Sequence, residues 1–347
     1  MATSNIQQKP TTVAYKHIGD GLPIYFDLHV PASMSGEERL ATVIFFHGGG
    51  LHAGNKDLAP AWLIQRSLSL GCAFISANYQ LLPPASGHDI VQDIQDLFAF
   101  LAKNEINVDQ RVFRADVNRI AVTGSSSGGH CAYLAGMHVS PKPRAIVGIY
   151  SPGGNLLISQ YVKEKTAPFM MGRPLVNPAA FADFIYPFPD GPLPPTSDVP
   201  LVFGGPPTSR RPVMAALYLQ LGIYLDYYTG QHEPSLSASF RAIFDKNGSI
   251  DELKAAIPEQ HRRLFPQLAV DGNWPPTLLM HGTADTAVLP EESDHLYSLL
   301  KEANVTAELL KIPGVEHMFD LAPGAEAKWG KDFDAVKDFL AKHLLVV

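Results

Sequence analysis

Apolar positions along this chain follow two rhythms, one of strands and one of helices. Thr12–His17 and Leu22–Val30 read as strands, the second alternating through Ile24, Phe26 and Leu28, and together they predict an antiparallel edge. Leu40–His47 carries Val43, Ile44, Phe45 and Phe46 without a break, the pattern of a strand covered on both faces. A helix is expected over Ala61–Leu70, a buried strand over Cys72–Tyr79 and a turn at Leu81-Leu82-Pro83-Pro84. From Asp89 onward, Ile90, Ile94, Leu97, Phe98 and Leu101 recur at helical spacing and put Asp93 and Asp96 on the polar side. The run from Arg119 reads as another buried strand that breaks at Gly124 and resumes as a small-residue helix through Ala132, Ala135 and Gly136. Arg144–Tyr150 adds one more strand. Strand and helix alternating in this way predict an α/β fold, a largely parallel sheet with helices on both faces.

From Ser151 to Asp271 the rhythm changes. Prolines cluster at Pro187, Pro189, Pro192, Pro194, Pro195, Pro200, Pro206 and Pro207, and no run reads as a central strand. Helical spacing is expected over Val213–Tyr228, in a segment rich in aromatic and sulfur residues: Phe169, Met170, Met171, Phe181, Phe184, Tyr186, Phe188, Tyr218, Tyr224, Tyr227 and Tyr228. Most of these should hold the segment together, and some should line a pocket beneath it. The core resumes with a short strand at Thr277–His281, a helix opening at Pro290, Glu291 and Glu292, a last strand at Thr306–Ile312 and an amphipathic helix through Phe333, Val336, Phe339 and Leu340. The expected organisation is one core in two segments, 1–150 and 272–347, with 151–271 as an inserted cap.

Composition narrows the class. With 46% hydrophobic and 18% charged residues the chain has ample core for a soluble protein, and no apolar run approaches a membrane span. The net charge of -7 comes without a basic cluster, so nucleic acid and anionic membrane surfaces are not expected partners. Met1–Pro10 lacks the apolar run of a secretory signal, and Cys72 and Cys131, the two cysteines, form neither a disulfide framework nor a metal spacing. Both read as core residues in a reducing, cytoplasmic setting.

Candidate chemistry centres on Gly124-Ser125-Ser126-Ser127-Gly128. A serine between a buried strand and a helix, flanked by glycines where side chains would clash, is the pattern of a nucleophile elbow and makes Ser126 the candidate nucleophile. His47-Gly48-Gly49-Gly50 directly follows a buried strand, so its backbone N–H groups can face a ligand or a developing oxyanion; His47 itself reads as structural. A serine hydroxyl needs a base, and the base needs an acceptor that fixes its tautomer. Asp285 follows one late strand and His317 the next, giving the order Ser, Asp, His. His281 precedes its turn, His130 and His138 belong to the helix after the elbow, and His232 and His261 lie in the cap; Glu316 and Asp320 are too near His317 in sequence to orient it.

On His47-Gly48-Gly49-Gly50, the elbow, His281-Gly282-Thr283-Ala284-Asp285 and Val315-Glu316-His317, the chain resembles the α/β-hydrolase superfamily and, within it, the hormone-sensitive-lipase-like esterases. The resemblance implies an eight-stranded, mostly parallel sheet, a mainly helical cap and hydrolysis of a small-molecule carboxylic ester with no metal or organic cofactor. It makes Ser126 the nucleophile, His317 the base and Asp285 the orienting acid, with oxyanion donors at the N–H of Ser127 and two among Gly48, Gly49 and Gly50, Gly49 foremost. Ser125 and Ser127 stand where the family commonly has an acid and an alanine. Asn78-Tyr79-Gln80-Leu81-Leu82-Pro83-Pro84 stands for its Asp-Tyr-Arg-Leu-Ala-Pro-Glu stretch. The expected substrate is an apolar acyl or aryl ester of modest size, cleaved through an acyl-enzyme. Other readings keep the triad and change the bond or acceptor: an amide or formamide hydrolase, an acyltransferase, or a lyase on an acylated natural product. A silent small-molecule-binding protein on the same scaffold is a further alternative, while a prolyl-oligopeptidase-type peptidase would normally bring a large accessory domain for which no room is expected.

Overall fold

The computed structural model describes residues 9–36, 38–202 and 209–345; most of the polar start, together with Pro206 and Pro207 of the proline cluster, lies outside the described residues. Its centre is an eight-stranded sheet built from β1 (Thr11–Ile18), β2 (Leu22–His29), β3 (Leu40–Phe46), β4 (Ala73–Ala77), β7 (Ala115–Ser125), β8 (Ala145–Ile149), β9 (Thr277–Gly282) and β10 (Ala307–Ile312). The spatial order is β1-β2-β4-β3-β7-β8-β9-β10. β2 runs antiparallel to both its neighbours, and every other pairing is parallel. The unbroken apolar runs occupy the middle: every residue of β3, β4, β8 and β9 is buried.

Two helical layers cover the sheet. α1 (Ala61–Ser69) and α10 (Ala325–Leu344) press Trp62, Leu63, Phe333, Val336 and Phe339 onto one face. α2 (Gly87–Lys103), α3 (Ser127–His138) and α9 (Glu291–Glu302) cover the other. A small hairpin, β5 (Ile106–Val108) with β6 (Arg111–Phe113), leads into β7 and has no counterpart in the hydrophobic rhythm, because three-residue strands are too short to show alternation. Among the described residues between β8 and β9, no strand joins the sheet. That stretch holds α4 (Met214–Gln220), α5 (Tyr224–Thr229), α6 (Leu236–Asp245), α7 (Ile250–Ala256) and α8 (Glu259–Arg262).

Two expectations need correction. The spacing over Val213–Tyr228 is one pattern but two helices, α4 and α5, because Gly222 turns left-handed at φ 64 where a side chain would strike the Val162 carbonyl. Asp93, expected on the polar side of α2, is fully buried. It accepts bonds from Lys16 Nζ at 2.7 Å, Gln80 Nε2 at 3.0 Å and Gln80 N at 2.7 Å, so the charge is enclosed only because three donors meet it. Both cysteines are buried and free, and burial pushes the Cys72 thiol up to about 11.

Breaking that buried pair should be costly. Asp93→Ala is expected to lower the free energy of unfolding by about 3 kcal/mol in urea titration, since it leaves both Gln80 donors unmet and Lys16 paired with Asp96 alone. An exposed ion pair sets the contrast: Asp183→Ala, which removes the partner of Arg210 on the surface, should cost under about 1 kcal/mol in the same titration.

Candidate active site

The turn from β7 into α3 is what presents Ser126. The serine adopts φ 52 and ψ −130, and its N–H donates to the Ile149 carbonyl at 2.9 Å. A Cβ at Gly124 would collide with the Gly128 carbonyl, and one at Gly128 with the Phe46 carbonyl, so both glycines are demanded by close approach. His317 arrives from the loop after β10, where Met318 is left-handed at φ 60. Its Nδ1 donates to Asp285 Oδ2 at 2.7 Å, which leaves Nε2 free to accept the Ser126 hydroxyl at 2.9 Å. The three residues singled out from the sequence are thus brought together from three separate loops.

Asp285 is held on every side. Its Oδ1 accepts from Ala287 N and Val288 N, both at 2.9 Å, and His281 Nε2 stands 3.3 Å from Oδ2. Burial works to raise its pKa, but the donors at His281, His317 and Val288 outweigh it and hold the carboxyl well below the usual carboxylate range. The acid and base loops are also bridged. Ala284 N donates to the Val315 carbonyl at 3.1 Å and Gly314 N to Thr283 Oγ1 at 2.8 Å, while Glu316 accepts from Thr286 and from His317 N.

On the other side of Ser126 lies the glycine loop. Gly49 and Gly50 take φ 120 and 68, and His52 N and Ala53 N close the turn on the Gly49 carbonyl. Gly48, Gly49, Gly50, Ser126, Ser127 and His317 all line one cavity of about 220 Å³. His47 faces away from this chemistry: it stacks on Tyr79 with centroids 4.4 Å apart, bonds the Gly48 carbonyl, and burial lowers its pKa to about 4 despite that bond. The Asn78-Tyr79-Gln80 stretch has its own anchors, with Tyr79 donating to the His47 carbonyl, Asn78 Oδ1 accepting from Lys56 N and Gln80 gripping Asp93.

Of the aromatic and sulfur residues expected over the site, Met170, Met171 and Tyr224 line the cavity. Others are spent on packing: Tyr218 stacks on Tyr227 at 3.7 Å, and Tyr186 on His232 at 4.4 Å. His130 bonds Tyr228, His138 the Arg263 carbonyl, and His261 sits between His88 and Gln231. Three neighbours of the site carry no sequence signal. Tyr150 directly follows β8 and sets its ring edge against His317; Tyr161 lines the cavity; Glu292, buried in the first turn of α9, accepts from Tyr161 Oη, from Gly153 N at 2.7 Å and from Asn155 N at 3.4 Å. Only the acidic first turn of α9 is visible in the sequence, and it reads as helix-dipole chemistry. Among the described residues no cluster of His, Cys, Asp or Glu is arranged to hold a metal ion, and no helix is long and apolar enough to cross a membrane.

Comparisons with known proteins follow the same division. The BD-FAE family matches residues 26–147, which contain the glycine loop and Ser126, and the prolyl oligopeptidase family matches residues 245–346, which contain Asp285 and His317. The non-reducing polyketide synthase ausA of Emericella nidulans is 25% identical over 364 residues, covering 96% of this chain and 14% of the synthase. The probable carboxylesterase M8 of a Phoma species is 32% identical over 128 residues, 35% of this chain and 40% of that protein. The chain therefore spans less than half the length of these curated relatives. A thermophilic esterase of Thermogutta terrifontis superposes with a TM-score of 0.58 at 16% identity, covering 97% of this chain and 93% of that one. An alpha/beta hydrolase superfamily protein of Enterococcus faecalis gives 0.60 at 15% identity, covering 97% and 99%. The sheet order, the crossing helices and the structural matches give the chain the fold of the α/β hydrolases.

Glu292 gives a measurable pH signature. Burial pushes its carboxyl from the ordinary 4.5 up to about 7, against the lowering effect of its three donors. As pH rises from about 4.5 to about 7 the unfolded chain gives up this proton first, so the group's contribution to stability is present below that window and lost across it. The melting-temperature difference between wild type and Glu292→Gln should therefore shrink by several degrees over that range in thermal scans.

Proposed function

We propose that this chain hydrolyses a carboxylic ester of a small to medium, mainly apolar substrate through an acyl-enzyme. Ser126 is the nucleophile. His317 takes the hydroxyl proton at Nε2 as Oγ attacks the carbonyl carbon, then returns it to the leaving alcohol; Asp285 fixes the tautomer and stays ionised throughout. The N–H of Ser127 and those of the 48–50 loop, Gly49 foremost, receive the tetrahedral oxyanion. Water deprotonated by the same imidazole then releases the acid. The observation that carries this reading is the continuous relay from Asp285 to His317 to Ser126, at 2.7 and 2.9 Å, opening into a cavity beside the glycine loop.

The substrate class follows from the lining. Met170, Met171, Leu219 and Tyr224 cover the serine from the segment between β8 and β9, so that segment, taken as residues 151–271, acts as the lid. Flexible thioethers and aromatic rings suit an apolar acyl or aryl group. Two free, buried cysteines fit a reducing, cytoplasmic setting. One observation favours a second reading: 96% of this chain matches a 14% portion of a polyketide synthase. An activated acyl group delivered by such a synthase would be taken by the same serine, with transfer or release depending on the acceptor admitted beneath the lid.

Turnover of p-nitrophenyl butyrate and covalent labelling by a fluorophosphonate probe test the reading together. Wild type should show a burst and carry the label on Ser126, and Ser126→Ala should lose the label and at least about a thousandfold in kcat. Persistent labelling of the folded alanine variant, or none in folded wild type, would reject Ser126 as the nucleophile. Faster turnover of charged than of apolar acyl esters would reject the substrate class, and preference for an acyl thioester with an added alcohol or amine as acceptor would move the second reading ahead.

A further inference from the structure

Against His317 lies a buried group that the cycle above does not use. Tyr150 stands at the carboxyl end of β8 in a left-handed conformation, φ 40, that a bulky aromatic residue rarely adopts. Its ring packs against the His317 imidazole with centroids 4.6 Å apart at 61°. Its hydroxyl donates to Asp320 Oδ1 at 2.5 Å, and Trp62 Nε1, from α1, donates to Asp320 Oδ2 at 3.0 Å. Asp320 is only 5% exposed and sits three residues beyond His317, in the short 3-10 turn Phe319–Leu321. Phe319 and the stacked rings of Trp62 and Phe333 wall it in. The position before the nucleophile, commonly acidic in the resembled family, is Ser125, whose hydroxyl lies against the same phenol. The acid reaches that phenol from Asp320 instead.

A carboxyl so enclosed is expensive to ionise: burial raises its pKa, and the Tyr150 and Trp62 donors and the His317 charge work against that rise. Its partners explain its burial but not its place. An apolar residue there would orphan the Tyr150 hydroxyl and the Trp62 N–H, and the left-handed backbone of Tyr150 lets its ring face the imidazole while its hydroxyl reaches the acid. We propose that Asp320 is a positioning residue for His317: through Tyr150 it fixes the surface against which the imidazole is oriented, and it keeps a negative charge behind the ring when the proton from Ser126 arrives. This rests on the reading of His317 as the base. It adds a second carboxylate to the site, acting through an aromatic hydroxyl, whereas Asp285 acts by direct contact.

The test compares pH profiles of p-nitrophenyl butyrate hydrolysis and of fluorophosphonate labelling in wild type, Asp320→Asn and Tyr150→Phe. The other groups facing His317 and its neighbours, Asp285, His281, Glu316 and Glu292, are common to all three proteins and cancel in the comparison. Removing the charge should lower kcat roughly tenfold with KM within about twofold, and move the acidic limb of both profiles to lower pH by about half a unit or more. Tyr150→Phe keeps the ring, loses the link, and should move the limb the same way. A folded Asp320→Asn with unmoved limbs, even if slower, would make Asp320 a packing residue and overturn the proposal. Should that variant not fold, Tyr150→Phe decides on the same criterion. A wild type that neither labels nor turns over would instead reject the triad and this proposal with it.

Discussion

Everything at the site depends on how closely α3 can approach the sheet. Gly128 lies against the Phe46 carbonyl and Gly124 against Gly128, so the strand turns into the helix with no room for a side chain on either flank. That contact sets three things at once. It aims Ser126 outward, it places the first amide of α3 beside the serine, and it brings the end of β3, with the glycine loop that follows, to the same spot. β3 and β7 pair in parallel register up to Phe46 and Gly124, so the glycine loop and the turn at Ser126 leave the sheet at one level. The histidine and its acid come from β10 and β9, likewise paired in register to their last residues, Ile312 and Gly282. The constellation is a product of sheet register, with the side chains added at loop positions the register defines.

The remaining energetics serve to keep these loops still. Asp285 is surrounded by N–H donors and remains ionised far below neutral pH, so its charge is a constant of the site. Glu292 differs: buried with three donors, it stays near neutrality's edge and anchors the stretch after β8 together with the cavity residue Tyr161. Two buried acids thus have opposite electrostatics because one is met by histidines and the other chiefly by burial.

How much of this could be read from sequence follows from the range of each signal. The elbow, the glycine loop and the order Ser126, Asp285, His317 are local patterns tied to strand ends, and the strands themselves are legible as unbroken apolar runs. Asp93 is misplaced by its spacing because helical periodicity reports which face is polar, not whether a lysine from β1 and a glutamine after β4 will come to cover that face. The split between α4 and α5 is hidden because apolar spacing continues across Gly222, and only the approach of Val162 forces the break. Asp320 lies 170 positions from Tyr150 and 258 from Trp62 along the chain, and no periodicity connects them. Short-range chemistry is legible; partnerships made by the fold are not.

The bonds around Thr286 connect the cavity roof to the backbone of His317. Met171 N, in the roof, donates to Thr286 Oγ1 at 2.8 Å; that hydroxyl donates to Glu316; and Glu316 in turn accepts from the backbone N–H of His317 at 2.9 Å. Met171 in the cavity roof is therefore tied to the peptide of His317 by three consecutive hydrogen bonds, so the roof and the histidine loop are held by one chain of contacts.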